Sequence, residues 1–203
     1  MTDKEMPSTS QKILLHSCCA PCSGAILEWM VSRGFRPTVF FSNSNIVPRE
    51  EYELRKAELL RYCVSLGLGV VDDDYDHRDW LSFAPDGCSI REMGSEPERG
   101  ARCSACFRYR LLRAARYGRD NGFDVLTTSL ASSRWKDLAQ VDEAGLWACR
   151  LAGEGAPEFW QKNWRRGGLQ PRRSEIVREQ AFYNQTFCGC EFSHHIANLD
   201  AGV

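Results

Sequence analysis

Seven of the ten cysteines in this chain fall into three tight clusters: Cys18, Cys19 and Cys22; Cys103 and Cys106; Cys188 and Cys190. Thiolates are soft metal ligands, nucleophiles and two-electron reductants, so clustered cysteines bring several chemistries within reach. Cys103-x-x-Cys106 has the spacing at which two thiolates bind one metal centre from the first turn of a helix. Alone it is open between zinc, an iron–sulfur cluster and a dithiol redox pair. Together with Cys18 and Cys19, far away in sequence but also at the end of an element, it can close a four-thiolate site. Packing of separate buried thiols is a poor account of three independent clusters. Cys188-Gly189-Cys190 is different. A disulfide across one residue closes a small, strained ring that is easily reduced, and Gly189 supplies the backbone freedom such a turn needs. The pair would make a two-electron store, and it could equally supply metal ligands. Cys22 fits a ligand, a spare thiol or a packed residue. Cys63 and Cys149, each beside a helical apolar stripe, read as core, and Cys88 is assigned no role.

The chain has 203 residues and a formal charge of −1, which suits one domain with an adequate core and excludes a globally basic nucleic-acid binder. No apolar run approaches the roughly 20 residues that a membrane helix requires. The expected organisation is a disordered tail over 1–11, a single α/β domain over 12–195 and a short tail over 196–203. The first of these is polar and lacks the apolar core of a signal peptide. A cytoplasmic location follows as the expectation, and there the cysteines would serve metal binding, catalysis or burial rather than structural disulfides.

The elements that must position the cysteines can be read from periodicity. Lys12 to Leu15 is a short apolar run with the character of a buried strand, and Ala25 to Arg33 has helical spacing. The first cysteine cluster therefore lies in a loop outside the carboxyl end of a strand, where α/β folds bind ligands. Pro37–Phe41 reads as a second strand, Pro48 to Leu66 as a long helix, and Gly69–Val71 as a third strand. Two such units imply a parallel sheet with right-handed crossovers. Order weakens between Asp72 and Arg102, apart from a short helix near Asp79–Phe83. A helix over Phe107–Asn121, a strand over Asp124–Thr128, an exit loop over Ser129–Ser133 and a helix over Lys136–Leu151 follow. The stretch with Phe159, Trp160 and Trp164 reads as loop, and Ser174–Ala181 as a last helix.

A phosphate-cradling loop needs several glycines, and the loop after the first strand has only Gly24, which counts against nucleotide binding. Local charge runs against net charge: seven arginines lie between Arg99 and Arg119, and six basic residues between Lys162 and Arg178 with aromatics nearby. That pattern suits loop or single-stranded RNA, with a solvated helix face as the alternative.

Four motifs then form a set: His16-Ser17-Cys18-Cys19-Ala20-Pro21-Cys22; Asn43-Ser44-Asn45-Ile46 with Pro48, Glu51 and Tyr52; Arg102-Cys103-Ser104-Ala105-Cys106-Phe107-Arg108; and Tyr183 with Phe187-Cys188-Gly189-Cys190. In this order, spanning Leu14 to Phe192, they resemble the QueH family of cobalamin-independent epoxyqueuosine reductases. The resemblance implies a Rossmann-like parallel sheet of about five strands with helices on both faces, related to the adenine nucleotide α-hydrolases but without ATP use. It implies reductive removal of the epoxide oxygen of epoxyqueuosine at the wobble position of tRNA with a GUN anticodon, giving queuosine. It implies a [4Fe-4S] cluster held by Cys18, Cys19, Cys103 and Cys106, a redox-active pair at Cys188 and Cys190, and an external electron donor. One additional iron ion is associated with the family. Cys22 leaves the choice of four ligands open to exchange. His16, Asn43, Asn45, Tyr52, Asp137 and Tyr183 are polar groups near strand ends that fit structural hydrogen bonding at least as well as catalysis. An iron–sulfur-dependent tRNA sulfurtransferase and a zinc-stabilised RNA-binding module are the rival classes.

Overall fold

Ile13, Leu14 and Leu15 form an apolar run without polar alternation, the pattern of a strand covered on both faces. A computed structural model describes residues 6–193, and in it β1 (Ile13–Ser17) is buried along its whole length. The expected tail over 196–203, the start of the tail over 1–11 and the end of the 12–195 domain lie outside the described residues. From β1 the chain continues through α1 (Ala20–Ser32), β2 (Thr38–Phe41), α2 (Arg49–Ser65) and β3 (Val70–Asp72). Then come α3 (His77–Ser82), a 3₁₀ turn Glu92–Ser95 and α4 (Ala101–Asp120). β4 (Val125–Thr128), a second 3₁₀ turn Ser129–Ser132, α5 (Leu138–Ala152), β5 (Glu158–Phe159) and α6 (Leu169–Glu179) complete it.

The five strands are all parallel in the order β3-β2-β1-β4-β5. Leu15 of β1 stands in register with Val39 of β2 on one side and Thr127 of β4 on the other. The two halves of the sheet run outward from β1 in opposite directions, so right-handed crossovers place α1 and α2 on one face and α4 and α5 on the other. Accordingly α1 packs against α2 and α6, and α4 against α5. The change of direction between β1 and β4 opens a crevice at their carboxyl ends. Cys18 and Cys19 leave β1 at that crevice, and Ser129–Ser132 leaves β4 there.

The α/β class and the parallel sheet agree with the sequence reading. The differences are local. α1 begins at Ala20 with Cys19 as its N-cap, five residues earlier than periodicity indicates, because Pro21 and Cys22 fit a first turn without contributing to an apolar stripe. α4 begins at Ala101, so Cys103 and Cys106 are helical residues one turn apart rather than a lead-in to the helix. α6 begins at Leu169 after Gly168, whose φ of 81° is left-handed. β5 is two residues long, too short to show a period of two, and reads as loop in the sequence.

Trp160 and Trp164 do not line a basic surface. Trp164 is fully buried, and its ring meets those of Trp29 and Trp160 edge-on at centroid distances of 5.3 Å each. Next to this cluster Phe159 sits against α5, where a Cβ built on Gly145 would lie 2.1 Å from the Phe159 ring. Alanine normally stabilises a helix interior relative to glycine by up to about 1 kcal/mol. Here the sign should reverse, because the methyl group has no room. Gly145→Ala should destabilise the fold by about 1–3 kcal/mol in denaturant titration, and an unchanged or raised midpoint would refute this packing.

Candidate functional site

At the carboxyl ends of β1 and β4, the sulfurs of Cys18, Cys19 and Cys22 lie within 4.8 Å of one another. The chain makes this possible by turning from strand to helix within two residues, so that the N-cap Cys19 and the first-turn Cys22 face the strand-end Cys18. Among the described residues this is the one group of three or more such ligand atoms so closely gathered. Cys18 Sγ and Cys19 Sγ are 3.8 Å apart. Hydrogen bonds from Cys19 and Cys22 hold the Cys18 thiol well below its ordinary pKa, with Arg110 and Lys136 adding to the effect. The cost falls on its neighbours: the bond to Cys18 pushes Cys22 up to about 12, and burial pushes Cys19 up. The group is thus one thiolate solvated by two thiols.

Cys103 and Cys106, outside that group, sit in the first and second turns of α4 with thiols pushed up by burial, Cys106 to about 11. The negative charge of Cys188 reaches both of them. Cys188 itself is held well below its ordinary pKa, first by a hydrogen bond from Cys190 and then by Lys136, Arg110 and Arg55. Cys190 is pushed up by the same bond and by burial. The pair is therefore a thiolate with a thiol beside it, and none of the ten cysteines is in a disulfide.

The loop that carries this pair is pinned from α2. The Arg55 guanidinium, 3% exposed and anchored on Glu51, donates to the carbonyls of Cys188 at 3.0 Å and Phe187 at 3.4 Å. The Val47 N–H donates to Gly189 O at 2.9 Å. Gly189 has φ of 103°, and a Cβ there would meet Arg55 Nη1 and Ile46 at 3.1 Å, so glycine is required on both grounds.

Two cations stand among the three cysteine segments. Lys136 Nζ lies 3.8 Å from Cys188 Sγ. Burial works against its charge, but the negative charges of Cys188 and Cys18 outweigh that and raise its pKa. Arg110, 2% exposed, donates from Nε to Ser42 O at 3.2 Å and from Nη2 to Asn43 Oδ1. Its charge acts on Cys18, Cys106 and Cys188.

Four of the six polar candidates from the sequence, His16, Asn43, Tyr52 and Asp137, make structural hydrogen bonds. His16 is fully buried, with Nδ1 against Thr128 Oγ1 at 2.8 Å and Nε2 against Ser42 O at 3.2 Å. Burial and the charge of Arg110 lower its pKa to about 3, so the ring is neutral and Nε2 carries the proton that Ser42 O accepts. Asn43 Nδ2 donates to Ser17 O, the Tyr52 hydroxyl donates to Asp72, and Asp137 caps α5. Asn45 is buried with its Oδ1 unbonded, and Tyr183 is exposed. Cys63 is fully buried as core, Cys149 packs partly buried against it, and Cys88 is exposed.

The arginine run of α4 is not an open basic face. Arg102 and Arg110 are buried against carbonyl groups, Arg113 pairs with Asp73, Arg108 with Asp86 and Glu143, and Arg119 with Asp120. Arg172 is likewise held by Glu28, Glu175 and Glu179. Sequence reasoning missed Lys136, Arg110 and Trp135. Arg110 is hidden in its run, Lys136 looks like an ordinary helix start, and Trp135 is a single aromatic in a short loop. Trp135 is 74% exposed, and the loop is braced by Arg99 Nε donating to Trp135 O at 3.0 Å and Arg165 Nη2 to Lys136 O at 2.7 Å. No helix among the described residues is long and apolar enough to cross a membrane.

The chain has relatives among known proteins. The family model for "Epoxyqueuosine reductase QueH" matches residues 13–195. A protein of that name from Histophilus somni is 42% identical over 189 residues, covering 93% of this chain and 74% of the relative. Its namesake from Haemophilus influenzae is 40% identical over 194 residues, covering 96% of this chain and 76% of the relative. Another from Acinetobacter baylyi is 40% identical over 191 residues, covering 93% and 83% respectively. A match that runs from β1 through the Cys188–Cys190 loop takes in all three cysteine clusters, and the chain belongs to the epoxyqueuosine reductase QueH family.

Proposed function

We propose that this chain is an oxidoreductase that converts epoxyqueuosine to queuosine at the wobble position of tRNA carrying a GUN anticodon. Family membership supplies the reaction. The observation that carries the reading is the convergence of three cysteine segments on Lys136 at one sheet crevice. An all-sulfur donor set with the buried Arg110 and the half-buried Lys136 nearby fits a metal centre of soft-ligand type, whose net negative charge the two cations would offset. In this reading Cys18, Cys19, Cys103 and Cys106 hold a [4Fe-4S] cluster, and Cys22 lies beside it. When bound, the cluster supplies single electrons at a potential set by its surroundings.

The Cys188 thiolate and the Cys190 thiol close to a disulfide and release two electrons and one proton, and solvent supplies the second proton. Both C–O bonds of the epoxide break, the alkene forms, and the oxygen leaves as water. The Cys188 thiolate beside the Cys190 thiol is poised for that closure, since disulfide formation proceeds from a thiolate. Lys136 stabilises negative charge where it develops. An external donor then reopens the disulfide. For the tRNA, Trp135 offers a stacking face at the rim, with Arg134 and Arg166 exposed for phosphate contact.

Anaerobically prepared protein should be brown with about four iron and four sulfide per chain. Cys103→Ala and Cys106→Ala should bleach it while Cys22→Ala keeps its iron. The reverse pattern would give the ligand role to Cys22, and colourless protein with zinc would exclude the cluster.

Cys188→Ser and Cys190→Ser should retain the iron yet lose multiple-turnover reduction. After one turnover without reductant, mass spectrometry should find a 188–190 disulfide in the unmodified protein. Normal turnover by both serine variants would remove the pair from the mechanism.

Binding to tRNA should weaken steeply with salt as counterion release is lost. Trp135→Ala should raise Kd by roughly tenfold, in line with about 1–3 kcal/mol per stacked base, and Trp135→Phe should recover most of it. An unaltered Kd for Trp135→Ala would leave tRNA binding to other surfaces.

A further inference from the structure

Three of the four sulfurs assigned to the iron centre accept a hydrogen bond, the fourth has a buried indole N–H beside it, and the four groups come from four separate parts of the chain. The Ser129 hydroxyl donates to Cys18 Sγ at 3.4 Å. Gln185 Nε2 donates to Cys19 Sγ at 2.8 Å. The backbone N–H of Arg99 donates to Cys103 Sγ at 3.3 Å. At Cys106, burial raises the thiol, and the Trp80 indole N–H is among the groups that oppose it. That indole nitrogen is buried and makes no hydrogen bond, so its proton is available to the Cys106 sulfur. The Cys22 sulfur is different: its hydrogen bonds run to the thiols of Cys18 and Cys19.

These groups are fixed in place. Ser129 Oγ accepts the Cys18 N–H at 3.0 Å while its proton points back to the same residue's sulfur. Arg99 has φ of 68°, a left-handed conformation that costs a non-glycine residue energy. It is kept there by Gln140 Nε2 donating to Arg99 O at 2.6 Å and by its own Nε on Trp135 O at 3.0 Å. Trp80 is 1% exposed and its ring lies between His77 and Phe192, at centroid distances of 5.2 and 6.2 Å.

A thiolate bound to iron keeps lone pairs that accept hydrogen bonds. Such bonds favour the more negative, reduced state of the centre and so raise its potential. We propose that Ser129, Gln185, Arg99 and Trp80 are positioning residues that hold the reduction potential of the iron centre above the value its four thiolates alone would set. The inference rests on the ligand assignment made under Proposed function and adds to it the residues that tune the centre.

The test is a potentiometric titration, followed by absorbance or EPR, of reconstituted wild-type protein and of Ser129→Ala, Gln185→Leu and Trp80→Phe. Each variant should keep the wild-type iron and sulfide content. Each should lower the midpoint so that, at the wild-type midpoint potential, the reduced-to-oxidised ratio falls roughly tenfold, which is about 59 mV for one electron. Gln185→Leu combined with Trp80→Phe should give close to the sum of the separate shifts, since their sulfurs lie on different elements. Gln185→Glu, which at neutral pH offers a negative charge and no donor, should fall below Gln185→Leu. Midpoints equal to wild type in all three loaded variants overturn the inference alone. Variants that lose iron while the wild type holds it also overturn it, because the residues then govern binding and not potential. Wild-type protein that takes up no iron overturns the ligand assignment and this inference together.

Discussion

Charge placed on sulfur in a half-buried crevice has to be met by charge of the opposite sign, and Lys136 and Arg110 are that counter-charge. Both act on Cys18 and Cys188, which belong to clusters 170 residues apart in sequence. Neither cation is free to leave. Arg110 is fixed through Ser42 O and Asn43, and Arg165 fixes the Lys136 carbonyl. Without the two cations, Cys18 and Cys188 would keep only their neighbouring thiols as partners, and their pKa values would rise.

The sheet determines where this arrangement can exist. β1 and β4 are neighbours at the point where strand order reverses, and their exits give one cysteine segment and one hydroxyl donor at the same level. His16 ties these strand ends to the β2 exit through Thr128 and Ser42, and does so as a neutral ring that adds no charge to a crowded site. α4 then brings Cys103 and Cys106 from its first turns, where the helix dipole favours anions. α2 contributes Arg55, whose grip on the Cys188 and Phe187 carbonyls gives a remote loop a fixed position.

Much of this is legible in the sequence because clustered cysteines and apolar strand runs are local signals. Ile13 to Leu15, Val39 to Phe41 and Val125 to Leu126 announce buried strands by composition alone. The readings that fail are those in which tertiary contact reverses a local appearance. Arg102, Arg110 and Arg113 look like a nucleic-acid face and are instead bonded to carbonyls or to Asp73. Trp160 and Trp164 look like base-stacking groups and are core, whereas the exposed Trp135 stands in a short loop with no pattern around it. Cys22 could not be assigned because its role depends on α1 starting at Ala20, which nothing in the apolar periodicity marks.

The last stretch of the chain has a bearing on how the protein matures. Gln185 and the Cys188–Cys190 loop reach the crevice from the far end of the sequence, docking on Cys19, Arg55 and Val47. During synthesis every element that carries Cys18, Cys19, Cys103 and Cys106 leaves the ribosome before them. Docking of the last segment therefore comes late, and it covers Cys19 and brings the Cys188–Cys190 pair to the other sulfurs in one step.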